Sequence, residues 1–228
     1  MFFTKNSSIS HTHQHIQHLL DFLEASPMAL GLLESTNFGA ARLQEGRAIL
    51  QGAQMAYANV QEQMRNQKAA TVTFHELWNE LRRIQKLHLN AVRSVLGSDA
   101  LSLPNPRSEA YFNWLEQSRA FYKTILENAD AQERLRQGGI LVEAFVESYQ
   151  KIEQVVARKN LQSQAVEALR LANQTSQQQQ RALQQWVREL NLAAPLAFRQ
   201  VPSLLAVLRP VAPRKSKKDT KVVATQTK

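Results

Sequence analysis

The stretch from Arg42 to Leu96 constrains the fold more than any other part of the sequence. It contains no proline, and its two glycines, Gly46 and Gly52, fall within its first turns. Apolar or small residues recur along it at steps of three and four, the spacing of one face of an α-helix. We predict one long amphipathic helix from about Ala40 to Leu96, ended by Gly97. Its face comprises Leu43, Gly46, Leu50, Ala53, Tyr57, Val60, Met64, Phe74, Trp78, Leu81, Val92 and Val95.

A second stretch with this pattern is predicted to form a long helix from about Ala131 to Leu192, ended by Pro195. Arg134-Leu135-Arg136-Gln137-Gly138 resembles Arg42-Leu43-Gln44-Glu45-Gly46, which lies 92 residues earlier, and the match continues without a gap. An internal duplication explains the match, and chance similarity between two helical stripes is the alternative. The further pairs are Ile49 and Leu141, Ala53 and Phe145, Tyr57 and Tyr149, Val60 and Ile152, Met64 and Val156, Phe74 and Val166, and Leu77 and Leu169.

The predicted fold is therefore all-α, an elongated antiparallel bundle of two hairpins, each a short helix followed by a long one. Thr73-Phe74-His75-Glu76 fits a capping box, so a break in the first long helix near Ala70–Thr73 is an open alternative. In chain order the predicted parts are a disordered N-terminus (1–9), hairpin repeat 1 (about 10–97), a linker (98–107), hairpin repeat 2 (about 108–193), a short helical cap (196–208) and a disordered basic tail (209–228).

The net charge of +9 is concentrated in the tail. The segment from Arg209 onward contains seven cationic residues and one acidic residue, Asp219. The tail therefore carries a charge of +6 and the rest of the chain +3. Such a tail can bind polyanions, including nucleic acids. It has no aromatic residue for base stacking, and a solubilising disordered segment is the alternative. The candidate polyanion-binding residues are Arg214, Lys215, Lys217, Lys218 and Lys221.

The chain has no cysteine, which excludes disulfides, thiol nucleophiles and cysteine-ligated metals. Its first residues lack the apolar core of a signal peptide. No window approaches ~18 uninterrupted apolar residues, so no membrane span is expected. A cytoplasmic location is the expectation.

Several motifs together resemble a widespread, uncharacterised family of bacterial helical proteins. Arg134-Leu135 with Gly138, Ile140 and Leu141 begins a long Ala- and Gln-rich stretch. Trp186 lies near its far end, and Val201-Pro202-Ser203-Leu204-Leu205 precedes the last short segment. The resemblance covers about 37–208. It implies a tandem helical-hairpin fold and no established activity or site.

The histidines near the N-terminus are the sharpest candidate for local chemistry. His11, His15 and His18 are spaced i, i+4 and i+7, so a helix would place them on one face, with His13 elsewhere. Imidazoles at this spacing can bind zinc, nickel or copper. The alternative is a solvent-facing first turn without metal, and no cofactor is expected.

No catalytic constellation is visible in the sequence. His75-Glu76-Leu77-Trp78-Asn79 lacks the second histidine of a zinc-protease motif, because Asn79 occupies its position. Gly46 and Gly138 are predicted instead to allow close packing of helices, since glycine inside a helix costs about 1 kcal/mol relative to alanine. Trp78, Trp114 and Trp186 are predicted core residues.

Polar residues interrupt both long stripes midway: Gln67 and Thr71 in the first, and Asn173, Gln177 and Gln180 in the second. Buried amides at these places would set the pairing of the helices, as they do in coiled coils. Alternatively, these stretches project beyond the short helices into water.

The leading functional hypothesis is a noncatalytic interaction or scaffold protein. In this hypothesis exposed parts of the long helices recruit a partner protein or a second copy of the chain. The alternative is a protein that associates with nucleic acid or another polyanion through the tail. An enzyme or a metal-binding protein is the third possibility.

Overall fold

The computed structural model describes residues 9–97 and 110–206 and is helical throughout, with no strand in these ranges. The all-α prediction is confirmed, and the long helices pack together. The predicted N-terminal segment 1–9, the linker and the basic tail fall largely or wholly outside the described residues. The elements are α1 (Ile9–Ala25), α2 (Pro27–Glu34), α3 (Ala40–Leu96), α4 (Tyr111–Leu126), α5 (Ala129–Gln137), α6 (Glu143–Ala197) and a 3₁₀ helix (Pro202–Ala206).

The first long helix forms as predicted. α3 is continuous over 57 residues, so the possible break near Ala70–Thr73 does not occur. The Thr73 hydroxyl donates to the Ala69 carbonyl oxygen at 3.0 Å, a bond within the helix rather than a cap. Gly97 follows with a φ of +82°, the left-handed conformation that commonly ends helices.

The prediction of a second long helix from Ala131 to Leu192 is wrong at both ends. Gly139, with a φ of +74°, ends α5, and the Ile140 N–H donates to the Leu135 carbonyl at 2.9 Å. This is a Schellman motif, in which glycine satisfies the last carbonyl groups of a helix. α6 therefore begins only at Glu143. It continues past Pro195 to Ala197, because a proline this close to a helix end removes a single donor.

The same turn ends α2. Asn37 has a φ of +57°, and the Phe38 N–H donates to the Leu33 carbonyl at 3.1 Å. The N-terminal caps also correspond, since the Ser26 hydroxyl accepts from the Ala29 N–H of α2 and the Asn128 side chain accepts from the Ala131 N–H of α5. Each hairpin thus consists of two short helices before the long one.

The starts of α1 and α4, and of α2 and α5, lie 102 residues apart, and those of α3 and α6 lie 103 apart, so the order of helices does not follow the predicted offset of 92 residues. A shift of ten residues turns an apolar stripe by about 80°, which is less than the ~100° width of such a stripe. The stripes therefore still overlap in part at the offset of 92. Buried residues coincide at the offset of 102: Leu19 and Phe121, Leu20 and Tyr122, Leu23 and Ile125, Ala29 and Ala131, Leu33 and Leu135, Leu43 and Phe145, Leu50 and Ile152, and Ala53 and Val155.

Tertiary contacts group the chain into two compact units rather than two successive hairpins. Unit 1 takes its described residues from Met1–Asn59 and Asn173–Lys228, and unit 2 is drawn from Val60–Ala172. The core of unit 1 is built by α1, α2, the first part of α3 and the last part of α6. The core of unit 2 is built by α4, α5, the last part of α3 and the first part of α6.

In unit 1, Gly46 lies against the indole of Trp186. The Trp186 Nε1–H donates to the Arg42 carbonyl oxygen at 3.0 Å, which holds the ring in place. A Cβ atom at Gly46 would lie 2.8 Å from Cη2 of this ring and closer still to two other ring atoms. Glycine is therefore the only residue type that fits at position 46 without a shift of the indole ring.

Gly138 has a different position from the one predicted. It is the residue that follows α5 and is exposed, not part of the interior of a long helix. A Cβ atom at Gly138 would lie 2.8 Å from Cγ2 of Val95, so the neighbour there is one side chain near the end of α3.

In unit 2 a buried polar group orders the core. Gln85 Oε1 accepts from Trp114 Nε1 at 2.8 Å and from the Ser118 hydroxyl at 3.0 Å. All three residues are buried, and an unpaired donor there would cost about 1–3 kcal/mol. Trp114 and Trp186 are thus core residues as predicted, whereas Trp78 is half-buried.

Substitution of Gly46 tests the contact with Trp186. We expect Gly46→Ala to lower the free energy of unfolding by about 1–3 kcal/mol, because the new Cβ atom must displace the ring. Gly31→Ala in α2 is the matched control, since a Cβ atom there meets nothing within 4 Å. It should be neutral or raise stability by up to about 1 kcal/mol. Urea denaturation followed by circular dichroism measures both, and equal effects at the two positions would contradict the close contact.

Candidate functional site: the exposed middle of two long helices

The predicted metal-binding histidines lie on α1 in unit 1. His11 and His18 are exposed and His15 is half-buried. Burial, together with repulsion from His11 and His18, lowers the pKa of His15. Among the described residues no group of three or more His, Cys, Asp or Glu side chains could hold a metal ion. The metal hypothesis therefore gains no support from the fold.

His13, which the spacing placed away from the other three, is the buried histidine of α1. Its Nε2 accepts a hydrogen bond from Gln180 Nε2 at 2.6 Å, and its ring packs edge-on against Tyr57. Burial lowers the pKa of His13. His13 thus helps to join α1 to both long helices within unit 1.

A half-buried histidine, His88, lies in unit 2. The ring of His88 stacks on Phe145 with centroids 4.3 Å apart, and its Nδ1 lies 3.2 Å from the Tyr122 hydroxyl. Tyr122 also shares a hydrogen bond with Ser148. Burial lowers the pKa of His88 and raises the pKa of Tyr122 to about 12, so both groups are held in their neutral forms. This arrangement stabilises the core as long as the imidazole is neutral.

The stability of unit 2 should therefore fall in acid. The pKa of His88 is lower in the fold than in the unfolded chain, so the unfolded state binds more protons as the pH drops below about 6.5. Stability is present above that pH and is lost below it. His88→Leu should reduce the loss between about pH 7.5 and about pH 5, measured by urea denaturation. Tyr122→Phe keeps the half-buried imidazole and should retain the loss, whereas an undiminished loss in His88→Leu would contradict the assignment.

The middle of the two long helices differs from the cores of both units. Within the described structure no residue from 61 to 73 on α3 or from 156 to 171 on α6 is buried. Both stretches belong to unit 2. They nevertheless carry five large apolar side chains that are each about half exposed, at 47–50%: Met64, Val72, Leu161, Val166 and Leu171.

The two stretches contact each other through polar side chains. Gln67 Nε2 donates to the Thr71 hydroxyl at 3.0 Å, and Gln162 Nε2 reaches the same hydroxyl at 3.4 Å. Gln67 and Thr71 are half-buried. They are therefore neither the buried amides of the first hypothesis nor the fully solvated stretch of the second. Gln180 differs, because its contact with His13 places it under α1 in unit 1.

α4 covers the long helices only as far as Tyr111, its first residue. The Tyr111 ring packs against Phe74 and Trp78 of α3, at centroid distances of 5.5 and 5.7 Å. On α6, the Lys159 ammonium lies 5.9 Å from the centre of the Tyr111 ring. Phe74 and Lys159 thus mark the end of the surface that α4 covers on each long helix.

Exposed residues continue the same face beyond this point. On α6, Val166 and Arg170 follow Lys159 by 7 and 11 residues, which keeps them on its face of the helix. On α3, Met64 precedes Trp78 by 14 residues, two heptads, and lies near its face. Lys68 follows Met64 by four residues, about one turn, whereas Val72 lies about 160° around α3 from Phe74 and is not on this face. We call Met64, Lys68, Val166 and Arg170 the middle surface.

This part of the chain is basic. The stretches 61–73 and 156–171 together contain five cations and two anions, a net charge of +3. The cations are Arg65, Lys68, Arg158, Lys159 and Arg170, and the anions are Glu62 and Glu167. Arg170 pairs with Glu167 at 2.7 Å, whereas Lys68 makes no ion pair with any described residue.

A groove between α3 and α6 has a volume of about 620 Å³ and is open to solvent. Leu77, Ala157 and Leu161 supply its apolar wall, and Glu76, Glu80 and Arg158 lie around them. Lys151 pairs with Glu80 at 3.2 Å at one side of it. Its mixed charge gives it no clear preference for an anionic or a cationic ligand.

The remaining predicted site lies outside the described residues. This applies to Arg214, Lys215, Lys217, Lys218 and Lys221, the candidate polyanion-binding residues of the tail. Within the described ranges, no helix is long and apolar enough to cross a membrane.

Comparisons with models of protein families, with curated proteins and with solved structures find no match to this chain. The resemblance to a bacterial helical family therefore stays a prediction.

Proposed function

We propose that this chain is a cytoplasmic, noncatalytic helical interaction protein that recruits a partner through the middle of its two long helices. One observation supports this proposal most strongly. Residues 61–73 and 156–171 contain five half-exposed large apolar side chains but no buried residue. Clustered exposed apolar side chains often mark the place where another protein packs.

The energy available to a partner is substantial. Fully burying a large aliphatic side chain contributes about 1.5–3 kcal/mol, so completing the burial of one that is half exposed contributes roughly 1 kcal/mol. Two such residues, Met64 and Val166, belong to the middle surface. Two neighbouring helices also present a shallow groove, into which a third helix can lay its apolar face.

A second candidate function is association with nucleic acid or another polyanion through the tail. The observation that favours it is the +6 charge of residues 209–228. Removal of these residues should abolish binding to random duplex DNA at low salt, measured by a gel shift. Binding that is unchanged without the tail excludes this function for the tail.

Site-specific photocrosslinking tests the interaction function. A benzophenone amino acid at Lys68 should give a defined adduct of higher mass when the protein is expressed in its own cell. The same group at Glu116, which is exposed on α4, should not give that adduct. Met64→Glu/Val166→Glu should remove the Lys68 adduct while leaving the circular dichroism spectrum unchanged. Equal adducts at both positions, or none at Lys68, would reject the proposed function.

A further inference from the structure

The end of α6 presents an apolar patch to solvent in unit 1. Leu192 and Leu196 are 74% and 72% exposed and are separated by about one helical turn. Leu192 lies about 160° around α6 from the buried Leu190, so it points away from the core of unit 1. Pro195, which precedes Leu196, is exposed as well. We call Leu192, Pro195 and Leu196 the terminal patch.

Arginines lie on both sides of the terminal patch along the chain. Arg188 precedes Leu192 by about one turn on the same side of α6, and Arg199 follows Leu196 by three residues. Both arginines are exposed, and neither forms an ion pair within the described residues. Their charges are therefore available to a ligand that covers the patch.

Acidic residues next to the terminal patch in the sequence are few. Glu189 forms an ion pair with Arg42, which Glu45 also contacts, so this group retains one negative charge. From residue 190 to 218 the chain has no acidic residue and six cationic residues, a charge of +6. These cations are Arg199, Arg209, Arg214, Lys215, Lys217 and Lys218.

The cations beyond Ala206 are attached close to unit 1. Leu204 and Leu205, in the 3₁₀ helix, pack against the core of this unit. Arg209 follows Ala206 by three residues, so the two lie within ~11 Å of each other at ~3.6 Å per residue. The basic tail therefore starts beside the unit that carries the terminal patch.

This combination fits the surface of an anionic lipid bilayer. Apolar side chains enter the boundary between headgroups and acyl chains there, and lysines and arginines contact the anionic headgroups. Duplex nucleic acid would engage the cations but would leave the two leucines in water. An uncharged protein surface would cover the leucines but would leave the cations without a counter-charge.

We infer that unit 1 binds an anionic bilayer by inserting the terminal patch, while the cations from Arg199 to Lys218 contact the headgroups. A short apolar patch or a basic segment alone binds a bilayer weakly, and the two together bind it more tightly. The inference goes beyond the proposed function, because it uses a surface of unit 1 and a partner of another kind.

Vesicles test the inference with the full chain. One set contains phosphatidylcholine with about 30% phosphatidylglycerol, and the control set contains phosphatidylcholine alone. Co-sedimentation at about 100 mM salt should show binding to the anionic vesicles that is at least about tenfold tighter than to the neutral ones. Binding should weaken at about 500 mM salt, because the headgroup contacts are then screened.

Two pairs of exposed apolar residues give a matched comparison. Leu192→Ser/Leu196→Ser should weaken binding to the anionic vesicles by about fivefold or more, because the inserted side chains are lost. Phe112→Ser/Leu141→Ser, at 72% and 71% exposure in unit 2, should alter it by less than about twofold. Neither pair should change the circular dichroism spectrum or the gel shift with random duplex DNA.

A dye reports insertion directly. The chain has no cysteine, so Leu192→Cys can carry a single polarity-sensitive dye. Its fluorescence should rise and shift to shorter wavelength on anionic vesicles, whereas the same dye on Phe112→Cys should not respond.

Other results overturn the inference. Equal binding to the neutral vesicles would show that the headgroup charge does not select the surface. Unchanged affinity of Leu192→Ser/Leu196→Ser, or no dye response at position 192, would show that the leucines stay in water. A dimer by light scattering that this variant abolishes would identify a second copy as the occupant of the patch.

The Lys68 adduct keeps this test separate from that of the proposed function. A Lys68 adduct without vesicle binding would overturn only the inference. Vesicle binding without a Lys68 adduct would reject only the proposed function.

Discussion

Two α-helices side by side bury only a narrow line of residues, and this limit shapes the whole chain. Each unit overcomes it with the two short helices that precede a long helix. In unit 2, α4 supplies Trp114, Phe121 and Tyr122 to the core, and all are buried. Each large side chain covered in this way contributes about 1.5–3 kcal/mol. Where the short helices stop, the polar residues begin, because a pair of helices alone cannot bury a wide apolar stripe.

The two units fill equivalent cores with different large residues. In unit 1 the large ring comes from α6, as Trp186, and Gly46 on α3 leaves room for it. At the offset of 102, Ser148 of unit 2 corresponds to Gly46, and its hydroxyl bonds to Tyr122. The order of helices is the same in the two units, but the large side chains of the core come from different helices. Close-packed cores tolerate such an exchange when the total side-chain volume is kept.

The apolar periodicity predicted the helices well, because burial on one face leaves a pattern at every third or fourth residue. It predicted α3 almost to the residue but joined α5 to α6, since Gly138-Gly139 can stand inside a helical pattern as well as at its end. Only the tertiary fold requires the left-handed Gly139. The polar middle is visible in the sequence as an interruption of both apolar stripes. Its exposed face is not, because that face depends on where α4 begins over Lys159.

The middle surface also shows how a helix can persist without cover. Residues 61–73 and 156–171 are rich in Gln, Ala, Arg and Lys, which have high helix propensity, and neither stretch contains glycine or proline. Each is continued at both ends by a helix that a core holds in place, so no nucleation cost arises within it. The apolar side chains of these stretches are therefore presented on continuous helices. A partner that binds there orders only itself, and a larger share of the contact energy then contributes to affinity.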